Sequence, residues 1–200
     1  MAEDLAYCVI DWRDTDSAFE HPSYGAEEDY YNHLDTPYAC KNAPFEVLDE
    51  LRLVKGMNSA VFDKIKPSVT IYGNARVNVN TASKEVLLAL GLEERTVDKI
   101  VNYRLGDDSE DRTGDDRVFT DAPAIMAQLN KVTTIDAAEL TALETLVSAG
   151  KLGTVSTHFM VQSQGVLNKN GAALNMESVI DRKGKIYYLK VSKIQWPSKV

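Results

Sequence analysis

The sequence predicts an α+β protein that is helical to about residue 150 and β thereafter. Short capped segments with apolar residues at helical spacing come first, and segments rich in alternating β-branched residues follow. Hydrophobic residues make up 44% of the 200 residues, at a mean hydropathy of −0.26, which is typical of a globular chain. Since no run of eighteen apolar residues occurs, no segment of this sequence is predicted to span a membrane.

Residues 80–105 predict two short helices joined by a tight turn, which is a helix-hairpin-helix (SAM-like) unit. Thr81 is a suitable N-cap, and Gly91 is a suitable stop for the first helix. The second helix is predicted from about Arg95 to Arg104. The apolar stripes of the two helices are formed by Val86, Leu87 and Leu90 and by Val97, Ile100 and Val101.

The same pattern occurs once upstream, over residues 42–67, so the sequence predicts two copies of one helical hairpin. Asn42 takes the N-cap position of this copy, and Pro44 falls near the first helical position, where proline is tolerated. Residues 46–48 are identical to residues 85–87.

Helical hairpins of this kind most often bind the DNA backbone, so a nucleic-acid-binding protein of the competence type is the alternative function. The net charge of −8 opposes it, because neutralisation of phosphates supplies most of the nonspecific affinity for DNA. The second hairpin also places Glu93 and Glu94 in the turn that would face the phosphates. The sequence therefore predicts no nucleic-acid binding, with the hairpins serving as packing scaffold.

The remaining elements are two terminal helices and a β-rich tail. A short helix is predicted to end near Leu129, and an amphipathic helix follows over residues 135–150. Three predicted strands occupy residues 154–167, 173–181 and 185–194, with turns at 168–171 and 182–184. Such an antiparallel meander needs another element over one face to be stable.

Residues 11–40 are strongly acidic: eight carboxylates lie between Asp11 and Asp35, and Arg13 is the one permanently basic side chain among them. Clustered hard oxygen ligands are what Ca²⁺ requires, and the interleaved Trp12 and tyrosines predict that the loop packs. The predicted Ca²⁺ ligands are Asp11, Asp14, Asp16, Glu27, Glu28 and Asp29. A solvated acidic loop without metal is the alternative.

The sequence shows no catalytic pattern. The three histidines lie far apart, and there is no Gly-x-Ser-x-Gly motif, phosphate loop or zinc-ligand spacing. A catalytic thiol at Cys8 or Cys40 is not predicted, because no histidine or basic group is placed to activate it. A disulfide between these two cysteines and two buried free thiols are both compatible with their positions.

Four segments of the sequence, in this order, resemble the general secretion pathway protein K family, the K-type minor pseudopilins of the type II secretion system. The segments are residues 5–16, 25–31, 42–57 and 77–82, followed by the β-rich tail. The resemblance covers nearly the whole chain, and its weight comes from the ordered set rather than from any one segment.

The resemblance implies a pilin-like α/β domain with a large helical insert between its N-terminal helix and its sheet. Residues 1–10 would then end the pilin-like helical part, residues 11–151 would form the insert, and residues 152–200 the pilin-like antiparallel β-meander. Within the insert, the expected parts are an acidic loop (11–40), a hairpin (42–67), a second hairpin (80–105) and terminal helices (120–150). The prepilin leader, the membrane-spanning segment and the first part of the globular domain would lie outside this chain.

The resemblance also implies a function in protein export. The family protein is a non-enzymatic pseudopilin at the tip of a periplasmic pseudopilus, on the periplasmic side of the bacterial inner membrane. Its expected partners are the I-type and J-type minor pseudopilins, with a capping and initiating role that suits the bulky insert. Contact with the membrane would run only through the N-terminal helix absent from this chain. Some members bind calcium in this kind of domain, which supports a Ca²⁺ site in the acidic segment.

Overall fold

A computed structural model of the protein describes residues 2–167 and 172–195. Its α-helices are α1 (Ala2–Arg13), α2 (Glu28–Asn32), α3 (Ser59–Ile65), α4 (Lys84–Ala89), α5 (Glu94–Arg104), α6 (Ile125–Leu129) and α7 (Ala137–Ser148). Short 3₁₀ helices cover Leu48–Leu53 and Lys66–Ser68. The strands are β1 (Val77–Asn78), β2 (Leu152–Gly153), β3 (His158–Leu167), β4 (Ala172–Asp181) and β5 (Ile186–Gln195). Across these described ranges, no helix has the length and apolar character needed to cross a bilayer.

The chain divides into two compact units between Ile71 and Tyr72. The first unit holds fourteen carboxylates and six Lys or Arg residues, so it carries the whole net charge of −8, whereas residues 72–200 are neutral. Residues 1–10 belong to the first unit together with the acidic segment and the first predicted hairpin. The domain boundaries expected at residues 10 and 151 differ from this division and stay a prediction.

The core of the first unit forms around α1. Cys8 and Trp12, one turn apart on this helix, are buried together with Tyr31 and Phe62. The rings of Trp12 and Tyr31 meet edge to face with their centroids 4.9 Å apart, an arrangement that aromatic quadrupoles favour. This packing fixes the C-terminal end of α1, where the acidic residues begin.

The first hairpin differs from its prediction, because residues 48–53 form a 3₁₀ helix instead of an α-helix. Asn42 is not its N-cap: it lies outside the helix with φ of +45°. The carboxylate of Glu50 accepts hydrogen bonds from the backbone N–H groups of Glu46 and Val47, both at 3.0 Å. These bonds satisfy donors that an earlier helical turn would have used, so the helix begins late.

The second hairpin is formed by α4 and α5, close to the predicted bounds. Its N-cap is Ser83 rather than Thr81: the Ser83 hydroxyl accepts from the N–H of Val86 at 3.4 Å. Thr81 donates its backbone N–H to the carbonyl of Asn78 at 3.1 Å, which closes a turn before the helix. Gly91, with φ of +89°, provides the left-handed residue between the two helices.

The core of the second unit lies between α5, α6 and α7. Val97, Ile100 and Leu143 are fully or almost fully buried there. α7 begins with a capping box, in which Asp136 accepts from the N–H of Glu139 and Glu139 accepts from the N–H of Asp136, both at 2.9 Å.

A two-residue parallel pair that the sequence did not predict joins β1 to β2, with Val77 opposite Leu152. Next to this pair, the side-chain amide of Asn80 makes hydrogen bonds to backbone groups of two other segments of the chain. Its Oδ1 accepts from the N–H of Phe119 at 2.8 Å, and its Nδ2 donates to the carbonyls of Phe119 and Thr154 at 3.0 and 3.2 Å. The asparagine therefore fastens three chain segments together.

Strands β3, β4 and β5 form the predicted antiparallel meander in that spatial order. The turn predicted at residues 168–171 lies outside the described residues. One face carries a polar ladder, with cross-strand hydrogen bonds from Gln162 to Glu177 and from Gln164 to Asn175, flanked by the exposed Met160 and Val166. Directly opposed residues share a face, so the register places these exposed apolar side chains on the other face: Phe159, Val161, Leu174, Met176, Ile186, Leu189 and Val191.

Candidate metal centre

Three of the predicted ligands lie together in the first unit. One carboxylate oxygen from each of Asp11, Asp14 and Glu27 lies within 4.8 Å of the other two. Asp11 lies in the last turn of α1, Asp14 follows that helix, and Glu27 immediately precedes α2. The end of one helix and the start of the next therefore bring the carboxylates to one point.

Asp11 organises the loop between these helices. Its side chain is fully buried; Oδ1 accepts from the N–H of Glu20 at 3.1 Å, and Oδ2 accepts from the N–H of Ala26 at 2.9 Å. Gly25 has φ of +114°, and a Cβ at that position would collide with the Asp11 carboxylate. The loop can thus close over Asp11 only with glycine at position 25.

Several carboxylate oxygens in this group lack a protein partner. Glu27 is 3% exposed, and neither of its carboxylate oxygens has a hydrogen-bond partner among the described residues. The same is true of Oδ1 of Asp14. Buried polar atoms without partners cost free energy of roughly 1–3 kcal/mol each in proteins, and more when they are charged. A bound cation would satisfy them.

The electrostatics of the group point the same way. Burial, and then the neighbouring charges of Asp11 and Asp14, raise the pKa of Glu27 to about 7. The pKa of Asp14 is also raised, first by burial and then by Asp16 and Asp11. Three crowded carboxylates suit a hard dication such as Ca²⁺, which takes six to eight oxygen ligands and accepts water for the remainder.

The other three predicted ligands lie elsewhere. Asp16 is exposed and accepts from a backbone N–H two residues further on. Glu28 accepts from the N–H of Cys40 at 2.7 Å, and the exposed Asp29 lies 3.4 Å from His33. Glu28 and Asp29 are helical residues, and successive side chains on a helix point about 100° apart, so they cannot all follow Glu27 inward.

Two residues that sequence reasoning missed also hold this loop. Asp4 accepts from the N–H of Gly25 at 3.3 Å, and the ring of Tyr7 contacts aromatic rings of the loop. Asp4, Tyr7, Asp11 and Asp14 recur at i, i+3, i+7 and i+10. That helical spacing is the pattern in the sequence that identifies Asp4, Tyr7 and Asp11 as one face of α1, with Asp14 continuing the spacing just after the helix ends.

Cys8 and Cys40 are free and buried in this structure, as in the second of the two alternatives for these residues. Burial, with a smaller contribution from Asp4, raises the pKa of Cys8 to about 11. Burial also raises the pKa of Cys40. Both groups are therefore neutral thiols at pH 7, which does not suit them as nucleophiles.

The second acidic loop, residues 107–116, closes on itself. Asp115 accepts from the N–H groups of Asp107 and Asp108 at 2.6 and 3.2 Å and from the hydroxyl of Thr113 at 2.8 Å. These hydrogen bonds lower the pKa of Asp115 to about 2. Its carboxylate already has partners, which distinguishes this loop from the group at Asp11.

The first part of the chain matches a known protein family. The family model described as "Type II secretion system (T2SS), protein K" matches residues 1–74. Two curated relatives bear the same description. Over 102 residues, the chain is 35% identical to type II secretion system protein K of Aeromonas hydrophila and 33% identical to that of Pectobacterium carotovorum subsp. carotovorum. Each match covers 48% of this chain and 30% of the relative, so the match spans about a third of the relatives' length.

The fold is similar to that of a solved structure over almost all of the chain. That structure is the GspK-GspI-GspJ complex from the enterotoxigenic Escherichia coli type 2 secretion system. The similarity covers 96% of this chain and 63% of the chain compared, with a TM-score of 0.67. At 20% sequence identity the likeness is one of fold.

Proposed function

We propose that the chain is a protein K of the type II secretion system and that it works as a minor pseudopilin in protein export. We place it on the periplasmic side of the bacterial inner membrane, at the tip of the pseudopilus. Its function there is assembly with other pseudopilins rather than catalysis. The observation that carries the proposal is the family match over residues 1–74. The similarity of fold to the solved structure, which covers 96% of this chain, supports it.

The proposed partners are the I-type and J-type minor pseudopilins. Support comes from the solved relative, in which GspK is found with GspI and GspJ. The surface that we propose for this association is the apolar face of the sheet. Seven large apolar side chains on that face are between 37% and 57% exposed, whereas the opposite face carries a polar hydrogen-bonded ladder. An exposed apolar area of this kind is typical of an interaction site.

A pull-down of this chain with the I-type and J-type pseudopilins of the same gene cluster tests the proposal. Leu189→Glu places a charge on the apolar face and is expected to reduce capture at least tenfold. Ser192→Glu, on the opposite face of the same strand, is the matched control and should capture normally. No capture of either partner by the unmodified chain, or equal capture by both variants, would contradict this proposal.

Nucleic-acid binding is the alternative function to be tested, because helical hairpins of this kind most often bind DNA. At the second hairpin, Arg95 pairs with Glu93 at 2.7 Å and also contacts Asp136, so its charge is already compensated. We therefore expect no retention on heparin and no DNA shift at low salt. Tight, salt-sensitive DNA binding would instead favour the alternative.

We further propose that Asp11, Asp14 and Glu27 hold a structural Ca²⁺. Support comes from their mutual distances, from the unpartnered oxygens of Glu27 and Asp14, and from the net charge of −8 on this unit. When bound, the ion would supply two positive charges that offset most of the negative charge of the three carboxylates. Asp11 would attach it to α1, Asp14 to the chain just after Arg13 at the end of that helix, and Glu27 to the start of α2, so that it braces the first unit.

A further inference from the structure

The loop that closes over the proposed metal site is held by one face of α1. Along that face, Asp4 accepts from the N–H of Gly25, and Asp11 accepts from the N–H groups of Glu20 and Ala26. Tyr7 lies between these two acids and makes no such hydrogen bond to the loop; it contributes its ring instead. The loop is thus attached at three successive turns of the helix.

The ring of Tyr7 belongs to a cluster of three rings, with His21 and Tyr24, which we call the ring stack. Tyr7 and His21 have centroids 4.7 Å apart, and His21 and Tyr24 have centroids 4.8 Å apart with 23° between their planes. Tyr7 and Tyr24 are nearly parallel at 6.0 Å. Tyr7 is therefore the member from the helix, and the other two come from the loop.

The two loop rings sit on a tight turn. The N–H of Tyr24 donates to the carbonyl of His21 at 3.3 Å, and the N–H of Ser23 donates to Nδ1 of His21 at 3.2 Å. The residues that flank this turn, Glu20 and Ala26, are the two whose N–H groups donate to Asp11. Contact between Tyr7 and the turn consequently helps to fix the two loop segments, before and after the turn, whose N–H groups donate to Asp11.

Glu27 follows Ala26 directly, so the position of the loop also sets the position of this ligand. Without the ring contact, the hydrogen bonds to Asp4 and Asp11 would hold the loop less firmly, and more of its ordering would accompany metal binding. Ordering backbone costs free energy, which reduces affinity. The stack is not part of the core: Tyr24 is 37% exposed, and His21 is half-buried. The stack therefore lies at the surface of the first unit, where its rings contact the loop rather than fill the core.

We infer that Tyr7 is a positioning residue for the cation site, acting through the ring stack to hold the loop that carries Glu27. This inference rests on the proposed Ca²⁺ site at Asp11, Asp14 and Glu27. Tyr7 is uncharged and is not one of the proposed ligands, so its effect on Ca²⁺ affinity would be exerted through the loop.

The test compares three variants of the full chain. Tyr7→Leu removes the ring and preserves helix propensity, Tyr7→Phe keeps the ring, and Tyr72→Leu removes a similar ring contact in the second unit as the matched control. Two quantities are measured: the Kd for Ca²⁺ by calorimetry, and amide hydrogen exchange at Glu20 and Ala26 in the Ca²⁺-free protein. Since Tyr7 makes two ring contacts, we expect Tyr7→Leu to weaken Ca²⁺ binding roughly five- to tenfold and to speed exchange at both amides. Tyr7→Phe and Tyr72→Leu should stay within about twofold of the unmodified chain.

The outcomes separate the two proposals. If the unmodified chain binds no Ca²⁺, the metal site itself fails and this inference fails with it. If that chain binds Ca²⁺ but Tyr7→Leu binds equally well or exchanges its Glu20 and Ala26 amides no faster, only the positioning role is overturned. Should Tyr7→Leu lose its helical circular dichroism, His21→Ala takes its place, because His21 lies in the loop outside α1. The same five- to tenfold weakening is then expected, and unchanged affinity would overturn the inference.

Discussion

The ammonium group of Lys99 lies 2.7 Å from both carboxylate oxygens of Glu139, and the Glu139 side chain is only 1% exposed. Burial alone would raise the pKa of Glu139, but the hydrogen bonds from Lys99 and from the N–H of Asp136 outweigh it and lower that pKa. The pair connects α5 to the first turn of α7, and Arg95 stands 3.9 Å away as a second cation. Together with the contact of Arg95 with Asp136, it holds α5 electrostatically to the start of α7.

Replacing this cation should destabilise the fold substantially. Lys99→Met leaves a buried carboxylate with only Arg95 nearby, so we expect the free energy of unfolding to fall by about 2 kcal/mol or more. Urea denaturation measures the change. Lys84→Met is the matched control, since Lys84 pairs with Asp98 at 2.6 Å but both side chains are about half exposed. That control should cost less than about 1 kcal/mol, and equal losses in the two variants would contradict the assignment.

Calcium should stabilise the protein through Glu27. We expect the thermal midpoint to rise with Ca²⁺ relative to EDTA, by the equivalent of about 2.7 kcal/mol when free Ca²⁺ is 100 times its Kd. Mg²⁺ should raise the midpoint less, because it prefers a smaller octahedral shell. Glu27→Gln should abolish the Ca²⁺ effect, and Asp29→Asn, which changes an exposed neighbour, should retain it. Equal midpoints in Ca²⁺ and EDTA, or the opposite behaviour of the two variants, would refute the placement.

Without metal, the pH dependence should have an unusual sign. Because the folded-state pKa of Glu27 is about 7 against an ordinary 4.5, the folded protein binds more protons than the unfolded chain between those values. Its contribution to stability is therefore present at acidic pH and falls, by roughly 3 kcal/mol at most, as the pH rises from about 4.5 to 7. Urea denaturation in EDTA at several pH values, for the unmodified chain and Glu27→Gln, isolates this contribution.

Carboxylates with lowered pKa values, such as Glu50 and Glu139, have the opposite pH dependence. They are present in both proteins and cancel in the difference between them. A difference that stays constant from pH 4.5 to 8 would contradict the raised pKa of Glu27.

Replacing Asn80 should lower the free energy of unfolding far more than replacing an exposed asparagine. Asn80→Ala removes three hydrogen bonds and leaves the backbone groups of Phe119 and Thr154 without partners, so we expect a loss of about 1–3 kcal/mol. Asn102→Ala, on the exposed side of α5, should change the free energy of unfolding by less than about 0.5 kcal/mol. Denaturant titration decides between the two, and similar values would show that the Asn80 bridge contributes little.

Local patterns predicted the regular elements well. The stripe of Val97 and Ile100 predicted α5, and both side chains are buried as expected. The alternation after residue 152 predicted the meander. Where the sequence offered two ways to satisfy the first backbone N–H groups, prediction failed: Asn42 was expected to cap the first helix, but the Glu50 carboxylate accepts from those groups instead. The capping box of Asp136 and Glu139 was readable from its spacing and was missed.

The candidate site was predicted in part. The clustering of carboxylates indicated residues 11–40 as the site, and three of the six predicted ligands lie together in the structure. The composition of the segment could not separate Glu27 from Glu28, because that depends on where α2 begins. Likewise, the role of Asn80 depends on Phe119 and Thr154, which lie 39 and 74 residues away in sequence. Contacts between residues so far apart leave no periodic pattern in the sequence, so the sequence alone does not predict them.

The pairing of Val77 with Leu152 has a consequence for how this protein can change over evolution. The second hairpin and the terminal helices lie between these two short strands in the sequence. The helical segment therefore begins and ends at adjacent points in the structure. Residues added to or removed from that excursion need not move the strands that follow, since the ends stay fastened to each other. We therefore expect that the helical segment can be lengthened or shortened with the sheet left in place, and that a graft between these two positions would join at preformed ends.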